Sequence, residues 1–325
     1  GEMYCNLSNE NIKIPNAFVL TAKSYNDFIC FNNLEKDIQN LLLSIDSSSL
    51  SSLRDKASII RKKISSGKLP EKLRNEIIFN YSTLSQEYLE ENVDVAVRSS
   101  STAEDLPDAS FAGLQETFLN VKGIDYLIQS IKDCFASLYT ERAISYRKTM
   151  KYDNNVTISV CVQKMVRSDK GSAGVAFSID SESGFKDIVL INGSWGLGEM
   201  VVGGSVKPDE FLVYKKKLNK HYPIVDKKLG DKKQKMIYSK DPNKKTEIID
   251  VDNEKKNKFC LENVDILKLT EWVVKIENYY SKKHNKWSPM DIEWAYDGIL
   301  NEMFIVQARP ETVNSNKKNS EIIEY

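Results

Sequence analysis

The chain has 325 residues, is 41% hydrophobic and 28% charged, and balances 46 basic against 46 acidic side chains. That length calls for two or three lobes with real cores. A net charge of zero removes the bulk field that nucleic acid or an anionic membrane would need, and no run of about 18 apolar residues offers a transmembrane helix.

The start, Gly1-Glu2-Met3-Tyr4-Cys5-Asn6, lacks the basic and apolar blocks of a signal peptide, so a cytoplasmic protein is expected. Cys5, Cys30, Cys134, Cys161 and Cys260 contain no Cys-x-x-Cys pair. They read as free thiols in a reducing compartment rather than a zinc site or a disulfide framework. His221 and His284 both lie in Lys-rich stretches, which argues against a histidine triad or a histidine-based metal site. Only eight of the 46 basic residues are Arg, so each Arg is a candidate for a place that needs a planar fork.

The N-terminal third reads as mostly helical and polar. Apolar residues recur at 3–4 spacing from Leu41 to Ile64, with a serine-rich break over Asp46–Ser52, and another helix is predicted over 71–89. Val93, Val95 and Val97 then alternate as a strand. A loop of small and acidic residues, Ser99–Glu116, leads to a short strand at Thr117–Val121 and one long helix over 125–149. Val156, Ile158, Val160 and Val162 alternate again, and further strands are predicted at 173–179, 187–192 and 209–214. The Lys-rich stretch 215–258 reads as an exposed strand-and-loop excursion. Ile266, Leu269, Trp272, Val273, Ile276 and Tyr280 mark an amphipathic helix over 265–282. A hairpin follows, then a polar tail at 314–325. There is no internal repeat, and segregated helices with mostly antiparallel strands indicate an α+β fold.

Three constellations could carry chemistry. In the hairpin, period-two alternation puts Met290, Ile292 and Trp294 on one face and Asp291 and Glu293 on the other. On the return strand, Phe304, Val306 and Ala308 share a face, with Gln307 and Arg309 opposite it. If Tyr296 pairs with Glu302, Asp291 sits opposite Gln307 and the four polar groups share one face. Paired carboxylates suit a hard cation such as Mg²⁺ shared with phosphates, and Arg309 could fork onto a phosphate oxygen. The alternative is a solvated face of an amphipathic hairpin. The second constellation is Arg98 at the end of a buried strand, followed by hydroxyls and Gly113, which could present N–H groups to phosphates or simply cap a strand. The third is the glycine-dense Gly193–Gly204, which matches neither the dinucleotide fingerprint nor a Walker loop and could be a plain tight turn.

Together these residues resemble the phosphoenolpyruvate synthase (pyruvate, water dikinase) family. The resemblance runs through Arg98-Ser-Ser-Ser-Thr-Ala-Glu-Asp-Leu-Pro-Asp-Ala-Ser-Phe-Ala-Gly-Leu-Gln-Glu-Thr-Phe-Leu-Asn-Val121, Met165-Val-Arg-Ser-Asp169 and Phe177-Ser-Ile-Asp-Ser-Glu-Ser-Gly-Phe185. It continues through Trp195-Gly-Leu-Gly-Glu-Met-Val-Val202, Pro208-Asp-Glu-Phe211, Asp291-Ile-Glu-Trp294 and Val306-Gln-Ala-Arg-Pro-Glu-Thr-Val313. Several motifs in order, spanning nearly the whole chain, are far more specific than any one of them.

The resemblance is to the family's N-terminal nucleotide-binding domain. It implies an ATP-grasp-like fold with a helical lobe at 1–92, grasp lobes at 93–313, and a linker at 314–325 toward a phosphohistidine domain. In such a family ATP phosphorylates a histidine on a swivelling domain, and a C-terminal barrel passes that group to pyruvate, giving phosphoenolpyruvate, AMP and phosphate. Those domains are the implied partners, and a homodimer formed through them is left open. ATP and Mg²⁺ are the implied ligands. By match to the motifs, Arg98 and Arg309 would be catalytic phosphate contacts. Glu293 and Gln307 would hold the metal-nucleotide with Asp291 in support. Gln163, Lys164, Met165 and Val166 would form the strand that receives adenine, and Gly113, Thr117 and Glu199 would also contact the nucleotide. The family carries a Gly-Gly-Lys segment just before its Gly-Glu-Met, and that lysine reaches phosphates. Nucleotide affinity of these 325 residues alone is therefore expected to be below that of a chain carrying it. The rivals are a sibling domain, of a rifamycin phosphotransferase or pyruvate phosphate dikinase, and a non-catalytic nucleotide-binding module.

Overall fold

The computed structural model describes residues 2–46, 49–101, 116–150, 156–218, 220–241 and 244–311. The loop carrying Gly113 and the tail at 314–325 lie outside the described residues.

Along the chain come α1 (Glu2–Leu7), β1 (Ala17–Leu20), α2 (Ala22–Phe31), α3 (Glu35–Leu43), α4 (Leu50–Ser66), α5 (Glu71–Glu87) and β2 (Val95–Ser101). Next are β3 (Thr117–Val121), α6 (Ile124–Ser137), α7 (Glu141–Thr149), β4 (Ile158–Lys164), β5 (Ser172–Phe177), β6 (Ile188–Trp195), α8 (Glu199–Val202) and β7 (Asp209–Tyr214). The chain continues through β8 (Ile224–Lys228), β9 (Gln234–Tyr238), β10 (Thr246–Asp250), α9 (Asn253–Lys256), α10 (Asn263–Lys283), β11 (Met290–Asp297) and β12 (Glu302–Pro310). The described sheets are antiparallel throughout, as an α+β reading requires. Among the described residues, no helix is long and apolar enough to cross a membrane.

The chain divides into two compact bodies, Asn16–Met165 and Gly1–Pro15 with Val166–Tyr325. Helices α2–α5 of the expected 1–92 lobe thus share a body with β2, β3 and β4, whereas α1 belongs to the other body.

In the Asn16–Met165 body a four-stranded sheet runs β1-β4-β2-β3. Alternation decides its two faces. Val95 and Val97 of β2 and Ile158, Val160 and Val162 of β4 are fully buried, in one core with Phe28, Ile60, Leu127, Ile131 and Phe135 of the helices. The intervening residues, Ala96, Arg98, Cys161 and Gln163, occupy the other face. Tyr81 ties helix to sheet: its hydroxyl donates to Val93 O at 2.7 Å and accepts from Gly123 N at 3.0 Å. The single helix expected over 125–149 is two helices. Thr140 starts the second as its N-cap, with Oγ1 accepting from Ala143 N at 3.2 Å. Ser49 likewise caps α4, accepting from Ser52 N at 3.2 Å, within the expected serine-rich break.

In the other body a six-stranded sheet runs β12-β11-β5-β6-β7-β8. One face is backed by α10. Its Ile266, Leu269, Trp272, Val273 and Ile276 pack with Val189, Ile191, Phe211, Val213, Ile292 and Trp294 of the strands. Burying each such side chain fully is worth about 1.5–3 kcal/mol, so this layer dominates the body's stability. The Trp294 indole lies against Gly193, where a Cβ would come within 2.7 Å of the ring, so the glycine makes its bed.

The Lys-rich stretch 215–258 is not uniformly exposed. Lys232 is 0% exposed, and its ammonium donates to Asp209 Oδ1, on an equally buried side chain, and to Gly230 O at 3.1 Å. Asp209 also accepts from Gly230 N and Cys260 N, both at 2.8 Å, which satisfies the buried carboxylate. Lys215, half-buried, donates to Glu277 at 2.6 Å. Charge composition signals solvent on average but cannot identify the lysine whose partner arrives from another strand.

Candidate functional site

The hairpin β11–β12 carries the densest group of candidates, and its register differs from the expected one. Asp297 pairs with Glu302 and Trp294 with Ile305, one residue out from a Tyr296–Glu302 pairing. That slip alone would turn Gln307 and Arg309 onto the Met290–Ile292 face, inside the core. A bulge follows between Glu293 and Trp294, with Val306 as the extra residue, and restores the parity. Glu293 then sits opposite Gln307 and Asp291 opposite Arg309. The four polar residues do share one face, although Asp291 faces Arg309 and not Gln307. The bulge also splits the expected apolar trio: Phe304 and Val306 pack with Val166, Ala173 and Ala295, whereas Ala308 joins the α10 core.

Arg309 donates from Nε (2.9 Å) and Nη2 (2.7 Å) to the same oxygen, Asp291 Oδ2. The side chains are 40% and 14% exposed. Burial pushes the Asp291 carboxyl above its ordinary value, Arg309 pulls it back, and the carboxylates of Glu293 and Glu311 push it up again. Gathered acidic oxygens whose ionisation is opposed by burial and by each other form a site that gains from a cation. Two carboxylates and a carboxamide are hard oxygen donors of the kind Mg²⁺ takes. Among the described residues, no group of three His, Cys, Asp or Glu side chains could hold a metal. Mg²⁺ bound through one or two protein oxygens keeps phosphate oxygens and waters as the rest of its shell.

Arg98 sits mid-sheet in the Asn16–Met165 body, with Thr117 opposite it on β3 and Cys161 opposite it on β4. Burial pushes the Cys161 thiol up, and the charge of Arg98 beside it acts in the other direction. Gln163 is buried and Lys164 follows it on β4, between β1 and β2. The Lys164 ammonium donates to Asp94 and lies 5.5 Å from the Tyr88 ring centre. The N–H groups of Lys164 and Met165 are bound to Asn16 O (2.9 Å) and Asp94 O (3.0 Å), so they already serve the sheet. Val166 begins the other body and belongs to its Ala173–Ala295 cluster. Glu199 opens α8 on the exposed side, next to the turn at Gly196. That glycine has φ 91°, and a Cβ there would lie 2.6 Å from Met236 O, so only glycine fits.

One grouping escaped the sequence. β6 runs past its expected end at 192 to Trp195, and Asn192 and Ser194 share the sheet face of Glu293 through the pairings Glu293–Val175–Asn192 and Ala295–Ala173–Ser194. Seeing this requires the order β11-β5-β6, which local alternation does not contain.

The whole chain, residues 1–325, matches the model of the pyruvate phosphate dikinase AMP/ATP-binding domain. The chain belongs to that family. It is 50% identical over its full length to the phosphoenolpyruvate synthase of Aquifex aeolicus, covering 38% of that protein. Over 99% of its length it is 48% identical to the phosphoenolpyruvate synthase of Helicobacter pylori, covering 40% of that protein. Over 97% of its length it is 46% identical to the one from Escherichia coli, covering 39% of it. The chain thus spans about two fifths of the length of these relatives.

Proposed function

We propose that this chain is the nucleotide-binding portion of a phosphoenolpyruvate synthase, with an ATP-grasp-like arrangement, working on ATP with Mg²⁺. The observation that carries the reading is the bulged hairpin, which places Asp291, Glu293, Gln307 and Arg309 on the sheet face opposite α10. A mere solvated face has no need of a parity-restoring bulge or of a largely buried carboxyl crowded by two others.

In this reading Glu293 and Gln307 hold the Mg²⁺, which when bound neutralises charge on the phosphates. Arg309 supplies a fixed guanidinium for phosphate oxygens, and Asp291 positions it through the two bonds to Oδ2. Arg98 supplies a second phosphate contact. Because the N–H groups of Lys164 and Met165 are engaged, adenine would be read by other backbone atoms of the Gln163–Val166 segment. Phosphoryl transfer of this kind rests on positioning and electrostatics more than on covalent chemistry by the protein. The acceptor would be a histidine on a swivelling domain, and pyruvate would be phosphorylated on a barrel, both beyond the segment of the relatives that this chain spans. The five thiols are free, which suits a cytoplasmic setting.

Calorimetric titration with a non-hydrolysable ATP analogue, with and without Mg²⁺, tests the reading. Saturable binding that Mg²⁺ strengthens is expected. Absence of binding in both conditions would remove the proposal.

A further inference from the structure

Two buried side-chain oxygens have no hydrogen-bond partner: Asn192 Oδ1 and Ser194 Oγ. Buried polar groups of native proteins are nearly always paired, so two orphans one pleat apart on one strand call for an explanation. Their position supplies it. Across the sheet at the level of the carboxylates the face reads Gln307, Glu293, Val175, Asn192, Glu210, Lys228. Asn192 therefore lies two strand spacings, about 10 Å, from Glu293, with only Val175 between them. The next row reads Ala295, Ala173, Ser194. Its small side chains are overlain by the glycine-dense turn into α8, where a Cβ on Gly198 would be 3.6 Å from that of Ala173.

The chemistry of the orphan narrows its partner. A carboxamide oxygen accepts and cannot donate. Phosphate oxygens also only accept, so they cannot satisfy it. The neighbouring carboxylate of Glu210 is an acceptor too, and Lys228 already donates to it at 2.7 Å. No donor among the described residues reaches it, the Ser194 hydroxyl on the same face included, so a donor from outside the protein would satisfy it. Mg²⁺ keeps several of its waters when it binds through one or two protein oxygens, and those waters are strong donors.

We propose that Asn192 is a positioning residue of the metal site, its Oδ1 accepting from a water on the Mg²⁺ held at Glu293 and Gln307. Ser194, 1% exposed, is the second orphan on the same face. The inference rests on the nucleotide reading above and gives the turn at Gly193–Gly204 a role beyond changing chain direction. It widens the site from a hairpin to four strands, β12, β11, β5 and β6. It also predicts a cost: Asn192 Oδ1 is unsatisfied until the loaded nucleotide arrives and Ser194 Oγ has no partner in the free fold, so removing either should not harm that fold.

The test uses the 325-residue chain and its Asn192→Leu, Asn192→Asp and Ser194→Ala variants. Each is titrated with the non-hydrolysable ATP analogue, with and without Mg²⁺, and melted without ligand. Asn192→Leu should weaken binding of the Mg²⁺-loaded analogue about tenfold, the effect of one lost hydrogen bond to a charged centre, and leave metal-free binding unchanged. Asn192→Asp keeps the acceptor and should bind the loaded form at least as well as the unaltered chain. The melting temperatures of ligand-free Asn192→Leu and Ser194→Ala should equal or exceed that of the unaltered chain. Equal weakening with and without Mg²⁺, no weakening, or a lowered melting temperature of the free variants would each overturn the assignment. If the unaltered chain binds with Mg²⁺ dependence and Asn192→Leu matches it, this inference alone fails. If the unaltered chain binds nothing, the nucleotide reading fails with it.

Discussion

The Asp291–Arg309 pair makes a prediction whose sign depends on pH. Replacing Arg309 by Met keeps the apolar stem and removes the charge. Removing one partner of a fully buried ion pair costs about 3–5 kcal/mol. Here Arg309 is 40% exposed and Asp291 14%, so water continues to solvate part of the site and about 1–2 kcal/mol should remain. Burial already holds the Asp291 carboxyl above its ordinary 3.8, against the pull of Arg309. A carboxyl raised in this way binds more protons folded than unfolded between the two values. Its contribution to stability is therefore present at low pH and lost as pH rises through the folded value. Arg309 opposes that loss by favouring the ionised form. Its removal costs the full amount well above the window, where Asp291 would otherwise ionise beside it, and nothing where Asp291 is protonated in both states. Urea unfolding of the unaltered chain and Arg309→Met between pH 8 and pH 4.5 measures this directly. The gap between them should be about 1–2 kcal/mol at pH 8 and smaller at the acid end of the range, where protonation of Asp291 removes the charge that Arg309 pairs. A gap that stays constant across this range, or is absent at pH 8, would show that the pair is not an electrostatic unit and that Asp291 does not position Arg309.

Glu293→Gln should weaken binding of the Mg²⁺-loaded ATP analogue more than that of the metal-free form, read by the same titrations; equal losses would show that this carboxylate does not sense the metal. Asp209→Asn leaves the Lys232 ammonium buried against a neutral partner and should lower unfolding free energy by about 3–5 kcal/mol, with most of it recovered when Lys232→Met is added. Denaturant titration of the single and double variants decides this, and a single-variant loss below about 1 kcal/mol would contradict a charge-paired core. Under native conditions a small thiol reagent should modify the exposed Cys5 and Cys30 and spare Cys134 and Cys260, whose thiols are buried and pushed above their ordinary range; mass mapping of the modified peptides checks it.

The hairpin shows where local sequence stops being informative. Asp291, Glu293, Gln307 and Arg309 could be placed on one face because alternation at period two is a property of each strand alone. The pairing between the strands is not. It is fixed at the turn, where Asp297 Oδ1 accepts from Ile299 N and Leu300 N, both at 2.9 Å, while its Oδ2 accepts from Arg167 N, 130 residues away, at 2.9 Å. That distant tie sets a register one residue out, and the bulge at Val306 corrects it. Nothing in the side chain of Val306 distinguishes an extra residue from a paired one. The same reasoning separates α10, read to within two residues because its apolar stripe is a local property, from β1, whose four residues are too few to show a period and which is a strand only because β4 lies beside it. Lys232 looked like one more solvated lysine because its partner, Asp209, comes from β7. Asn192 looked like the end of a strand because the carboxylate it shares a face with lies two strands away, across β5. The motif residues could be picked out singly, and their grouping into a site depended on sheet order, parity and a bulge, all of which are set by contacts between segments far apart in the chain.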